Sequence, residues 1–119
     1  MAIADATQQR RTKSYGGLPQ KNRTLRFNQV EGAERLLRKH AGRLAAIVLD
    51  PMPSRAGLIP PDPDFISCVQ RIAREEDILV ISEEVLNFRQ SYQGAAARYG
   101  LEPDLYVLGC AFRPCPHHQ

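Results

Sequence analysis

Apolar residues change their spacing several times along this chain, and each change predicts an element. Residues 1–20 carry no apolar period and read as an irregular or disordered leader. "RTLRFN" (23–28) alternates weakly and reads as a short strand. From Asn28 the spacing turns helical, with Val30, Ala33, Leu36, Leu37 and His40 on one face. Asn28 with Glu31 three residues on resembles a capping box. Arg38, Lys39 and His40 suit the negative end of that helix, and Gly42 stops it; His40 is expected there as a helix-end cation rather than a ligand. "LAAIVLD" (44–50) is a continuous apolar run, the signature of a strand buried on both faces.

A Pro/Gly-rich loop follows, and Asp62-Pro63 marks the start of a second helix. Phe65, Ile66, Val69, Ile72 and Ala73 give that helix its apolar stripe through about Glu76, with Cys68 read as inert packing. A second apolar run, 78–82, halts on Glu83-Glu84. "GAAARYG" (94–100) predicts a short helix closed by Gly100, and "PDLYVLG" (103–109) a third strand. Strands alternating with helices predict an α/β protein with a mostly parallel sheet. Parallel strands are expected near 44–49, 78–82 and 105–108, and helices near 29–40 and 64–76.

Composition narrows the function more than the fold. The 119 residues are 43% hydrophobic and 24% charged, which is ordinary for a globular chain of at most one domain. No apolar run approaches membrane-spanning length, and the N-terminus lacks the apolar core of a secretory signal, so no membrane role and a cytoplasmic location are expected. Residues 1–43 hold ten Lys/Arg against three Asp/Glu. Without interleaved aromatics or a nucleic-acid-binding motif, that bias reads as a leader plus one solvated helix face, so no nucleic-acid partner is expected. Three cysteines without scaffold spacing fit a reducing compartment.

The candidate chemistry sits where the apolar runs stop. Asp50, Glu83 and Gly109 each stand at a predicted strand's carboxyl end, where open α/β sheets gather functional groups. A carboxylate there can bind a metal, act as a base, hold a ribose hydroxyl or pair with a buried cationic nitrogen. It can equally be a helix cap or a surface acid. Adjacent residues of a strand point to opposite faces, so Glu83 and Glu84 are not expected to chelate together. One faces a site and the other faces structure.

From about residue 21 to residue 109, "LAAIVLDPMPSRAGLIPPDPDFISCVQRIAREEDILVISEEVLNFRQSYQGAAARYGLEPDLYVLG" and its approach resemble the class III (fold type I) pyridoxal-phosphate-dependent aminotransferases. The branch most similar is that of glutamate-1-semialdehyde 2,1-aminomutase. The resemblance implies part of the fold type I large domain, pyridoxal 5′-phosphate as cofactor, an amino-acid or amino-aldehyde substrate, and a homodimer. In the family a strand ends in Asp-Glu-Val, and its Asp pairs with the protonated pyridine nitrogen of the cofactor. Glu83 stands at that position and Val85 at that of the residue packed on the ring, so both are the implied cofactor-binding residues.

The departures are equally specific. Glu83 is one methylene longer than the family's Asp, Asp50 replaces a Glu, and Ala96 stands where Gln is common. The lysine that forms the Schiff base should follow Gly109, but Cys110 is there, and no lysine follows Lys39. No catalytic residue is therefore assigned. Gly16-Gly17 is too little to be the family's phosphate loop, and no second, smaller domain is recognisable. "CAFRPCPHHQ" (110–119) resembles nothing in the family and reads as an out-of-frame tail. Its Cys110, Cys115, His117 and His118 lack the spacing of a structural zinc site, so no metal is expected. The implied activity is amino-group transfer by family, with weak or no cofactor binding by this chain. The alternative is a non-catalytic α/β fragment.

Overall fold

The computed structural model describes residues 23–109. The leader expected at 1–20 and the tail from Cys110 lie outside the described residues. Within them the chain runs α1 (Val30–His40), β1 (Ala46–Leu49), α2 (Pro63–Glu75), β2 (Leu79–Glu83), α3 (Gly94–Arg98) and β3 (Leu105–Val107), with short 3-10 turns between. The strands form one sheet in the order β1-β2-β3, and both pairings are parallel, as the uninterrupted apolar runs predict. Register sets Ile47 beside Val80, Leu49 beside Ser82 and Glu83 beside Val107.

The two long helices form where the apolar stripes lie. Ala33 and Leu37 of α1 and Phe65, Ile66, Val69, Ile72 and Ala73 of α2 are buried, together with Ile47, Leu49 and Val80 from one face of the sheet. Removal of this stripe from water is the main stabilising term of the layer. Pro63 opens α2 at its first turn, and Ile66 donates the first helical hydrogen bond to the Asp62 carbonyl at 3.1 Å. The C-terminus of α2 closes through Ile78 N–H to the Ala73 carbonyl (2.8 Å), with Asp77 in the left-handed conformation (φ +54°) where glycine is commonest. Cys68 is buried, and burial pushes its thiol pKa up, with Glu34 adding to that and Arg71 opposing it. A buried thiol held protonated fits the expected packing role. Outside this core Arg38 binds Glu75 (2.5 Å) and Glu76 (3.1 Å), while Arg71 binds Glu34 (3.3 Å). Such exposed pairs add little stability.

Two local expectations are corrected. Residues 23–28 form no strand. Leu25 is buried in the core instead, and Phe27 stacks edge-on against Phe65 at 5.7 Å between ring centres. Asn28 does not cap α1: the N-cap is Gln29, and no side chain bonds the first turn. Asn28 adopts φ +58°, tolerable for Asn, and its carboxamide clamps the loop before α2, donating to the Pro60 carbonyl (3.0 Å) and accepting from Asp62 N–H (2.8 Å). A tertiary contact outcompetes the local cap. His40 does end α1, but desolvation, then Arg23, Lys39 and Arg43, hold its pKa below the usual histidine value. The basic residues of that last turn are Arg38, Lys39 and His40, as the sequence predicts.

Among the described residues only one face of β1 and β2 is covered, and β3 is exposed along its length. Side chains alternate along each strand, so Val48, Leu79, Leu105 and Val107 share the other face, and each is between 37% and 53% exposed. β1 and β3 are edges.

Candidate active-site edge of the sheet

β2 ends on two glutamates, and the alternation of the strand sends them apart. Ser82 and Glu84 follow Val80 to the covered side, and both are fully buried. The Glu84 carboxylate accepts from Ser82 Oγ (2.9 Å), Ala95 N–H (2.8 Å) and Ala96 N–H (2.9 Å). It therefore ties the end of β2 to the first turn of α3, whose free N–H groups favour a negative partner. Gly94 permits this approach: it holds φ +91°, and a Cβ there would fall 2.5 Å from Glu84 Oε2.

Glu83 has a different environment. It follows Leu79 and Ile81 on the open face and is half-buried, and its Oε1 accepts from Val85 N–H at 3.1 Å. Burial raises its pKa above the usual carboxylate value; the Val85 N–H opposes this, and the facing Asp50, by charge and hydrogen bond, and then Glu84 raise it further. Asp50 and Glu84 thus each add like charge to it.

Asp50 stands one residue past β1, next to Glu83 by continuation of the register. Its Oδ1 accepts from Met52 N–H (2.9 Å) and from Asn87 Nδ2 (2.7 Å). Asn87 is only 6% exposed, also donates to the Met52 carbonyl at 3.4 Å, and its Oδ1 has no partner among the described residues. Val85 packs on Gly109, where a Cβ would meet Val85 Cγ1 at 2.7 Å, so the chain leaves β3 hard against Val85.

The structure therefore brings Asp50, Glu83, Val85 and Gly109 together at the carboxyl edge of the sheet. Ala96 lies apart from them, buried and bound to Glu84. Cys110 lies outside the described residues. Asn87 was not anticipated, because nothing local distinguishes an Asn in a turn. Ser82 carried a signal: a polar residue inside an apolar run, two positions from an acid and on its face. Among the described residues no cluster of three or more His, Cys, Asp or Glu could hold a metal ion, and no helix is long and apolar enough to cross a membrane.

An acidic, donor-poor strand edge suits a cationic partner, and comparison with known proteins supplies its context. The aminotransferase class-III family matches residues 7–113. The chain belongs to the class III aminotransferases. It is 39% identical over 87 residues to the glutamate-1-semialdehyde 2,1-aminomutase of Roseiflexus castenholzii, covering 72% of this chain and 20% of that protein. The corresponding protein of Aeropyrum pernix is 37% identical over 84 residues, with 70% and 20% covered. The chain thus spans about 20% of the length of the curated relatives it matches.

Solved structures agree in fold. An omega-transaminase from Sphaerobacter thermophilus superposes with TM-score 0.70 at 39% identity, over 71% of this chain and 19% of that one. A glutamate-1-semialdehyde aminomutase from Pseudomonas aeruginosa PAO1 gives 0.65 at 30% identity, over 73% and 19%. A transaminase with pyridoxal phosphate bound gives 0.70 at 35% identity, over 71% and 20%. This class III segment is accordingly an α/β piece of a pyridoxal-phosphate-dependent transferase fold, with the parallel strands that the apolar runs predict.

Proposed function

We propose that this segment carries the ring-nitrogen side of a pyridoxal 5′-phosphate site, with Glu83 as the acid that faces the pyridine nitrogen and Val85 as the residue packed on the ring. The observation that supports this most is the environment of Glu83. It is a half-buried acceptor at a strand's carboxyl end, bound by the Val85 N–H and facing the like charge of Asp50. A cationic N–H group placed there would relieve that repulsion. The residues present fit that half of the cofactor. They do not fit the half that needs an amine, because Cys110 follows Gly109 and no lysine follows Lys39.

When bound, the cofactor supplies an electron sink for the electrons left as a substrate's Cα proton departs. The chain's own residues have narrower tasks. Glu83 holds the proton at the ring nitrogen, so the ring stays cationic. Val85, braced by Gly109, would pack against the ring. Glu84 fixes the β2–α3 corner from below and touches no ligand. A thiol at position 110 forms no nitrogen link to an aldehyde cofactor. The chain is therefore expected to hold pyridoxal phosphate weakly and reversibly and to perform no transamination. By family, the corresponding whole protein would be cytoplasmic, move amino groups on amino-acid or amino-aldehyde substrates, and form a homodimer.

Borohydride reduction with pyridoxal phosphate, followed by peptide mapping, tests the reading. Only scattered labelling of surface amines is expected. Efficient labelling at one position, with turnover of an amino donor, would overturn it. An alternative, a chain without any ligand, is favoured only by the Cys110 substitution; it predicts no Glu83-dependent binding of pyridoxamine 5′-phosphate at millimolar concentration.

A further inference from the structure

The cations around α1 fall into two groups that differ in what they meet. Toward α2 they are paired: Arg38 binds Glu75 and Glu76, and Arg71 of α2 binds Glu34. Arg23, Arg26, Arg35, Lys39 and Arg43 make no ion pair among the described residues. Arg23, Lys39 and Arg43 lie close enough to His40 to depress its pKa, second only to desolvation. Glu31, one turn before Arg35 on the same row of the helix, makes no ion pair either. Arg26 and Arg35 line a groove of about 440 Å³, together with Leu25, Gly32 and Leu36. Gly32 stands inside α1, where glycine costs about 0.5–1 kcal/mol against alanine. A Cβ there would meet only Gln29, at an ordinary 3.7 Å, so packing among the described residues does not call for glycine. What the glycine supplies is room in the groove.

We propose that this groove docks an acidic protein segment bearing one leucine-sized apolar side chain, with that side chain over Gly32 and its carboxylates on Arg26 and Arg35. Charge complementarity fixes the sign of the partner, because the cations here are unpaired and Glu31 is a lone opposing acid. Guanidinium forks match carboxylates in a bidentate manner, and Leu25 and Leu36 give an apolar anchor something to pack on. Lys39 and Arg43 extend the positive field beyond the groove and steer an acidic partner toward it. A single-stranded nucleic acid suits the groove less well, since no aromatic residue lines it for a base to stack on. The site is independent of the cofactor reading: α1 packs on the covered side of the sheet, and Glu83 faces the open side.

The test is an NMR titration of the isotope-labelled chain with three probes. One is a short peptide of alternating Asp and Glu with a central Leu, the second has Ala in place of that Leu, and the third is a short oligothymidylate. The Leu peptide should bind best and shift the amides of Gly32 and Leu36, and the Ala peptide should be about tenfold weaker, the value of one buried apolar side chain. Arg26→Glu with Arg35→Glu should weaken both peptides at least about tenfold. Gly32→Met fills the groove without changing charge. It should bring the Leu peptide down to the affinity of the Ala peptide, leave the Ala peptide as it was, and raise the stability of the chain through helix propensity. A merely structural role for Gly32 would not give that combination. Equal binding of the two peptides, tighter binding of the oligothymidylate at the same amides, or no binding of either peptide would overturn the proposal. So would shifts of those amides on concentrating the chain alone, which would make a second copy the occupant.

Discussion

Glu83 and Glu84 are the same residue type, adjacent in sequence, and have opposite fates. Glu84 turns to the helix-covered side, is fully buried, and satisfies three donors. Glu83 turns to the open side, accepts from Val85 N–H, and faces another acid. The contrast extends over β1 and β2. Their one face packs under α1 and α2 at Ile47, Leu49 and Val80, their other leaves Val48 and Leu79 exposed, and β3 is exposed along its length. Alternation along a strand is enough to separate a structural acid from one available to a ligand, provided that only one side is packed.

The largest effect should come from breaking the sealed side. Gly94→Ala would place a methyl 2.5 Å from Glu84 Oε2 at a φ of +91°. Both strain and displacement of the carboxylate from three donors follow, so a loss of about 3 kcal/mol or more is expected. Denaturant unfolding followed by far-UV circular dichroism checks this. Glu84→Ala should cost a similar amount, because it strands the Ala95 and Ala96 N–H groups in the interior. An effect below about 1 kcal/mol for both would mean that the two glutamates are not different in kind.

The open side offers a second, intermediate test. An exposed apolar sheet face flanked by two edge strands is prone to association. The chain should therefore sediment as concentration-dependent oligomers. Leu79→Lys with Leu105→Lys places charge on that face, at positions 48% and 53% exposed. Each substitution should weaken association by roughly tenfold, given about 1.5–3 kcal/mol for burying such a side chain. Amide exchange in α1 and α2 should be unchanged. A wild-type chain that remains monomeric at high concentration would show that the face needs no cover.

How much of this was legible follows from what each feature depends on. β1 and β2 were readable because uninterrupted apolar runs have few other uses, and α2 because Asp62-Pro63 and an apolar stripe agree with each other. The split between Glu83 and Glu84 followed from period two alone. Asn28 misled because its local pattern matched a cap, whereas a contact more than thirty residues away, with Pro60 and Asp62, wins in three dimensions. The 23–28 segment misled because weak alternation cannot distinguish a strand from an extended stretch that buries one leucine. Asn87 was invisible for the same reason in stronger form: its significance is an unmet oxygen beside Asp50, and no local pattern encodes a missing partner.

The smallest effect sharpens the comparison through pH. Glu83 has a folded-state pKa above its ordinary value of 4.5, chiefly through burial, with Asp50 adding to it. A group of this kind binds more protons folded than unfolded once the pH passes the unfolded value. Stability then falls as pH rises from about the ordinary glutamate range through the folded pKa, and is flat above it. Its contribution is fully present below that window, the reverse of the usual salt-bridged carboxylate. Because the group is only half-buried and solvent screens it, the change should be well under that from losing Glu84. Glu83→Gln removes the titrating proton while keeping the side-chain length. The decline in stability across mildly acidic pH should therefore be shallower in Glu83→Gln than in the parent chain, measured by urea unfolding at several pH values. An identical slope in both would mean that Glu83 does not feel the burial and the Asp50 charge that set it apart from its neighbour.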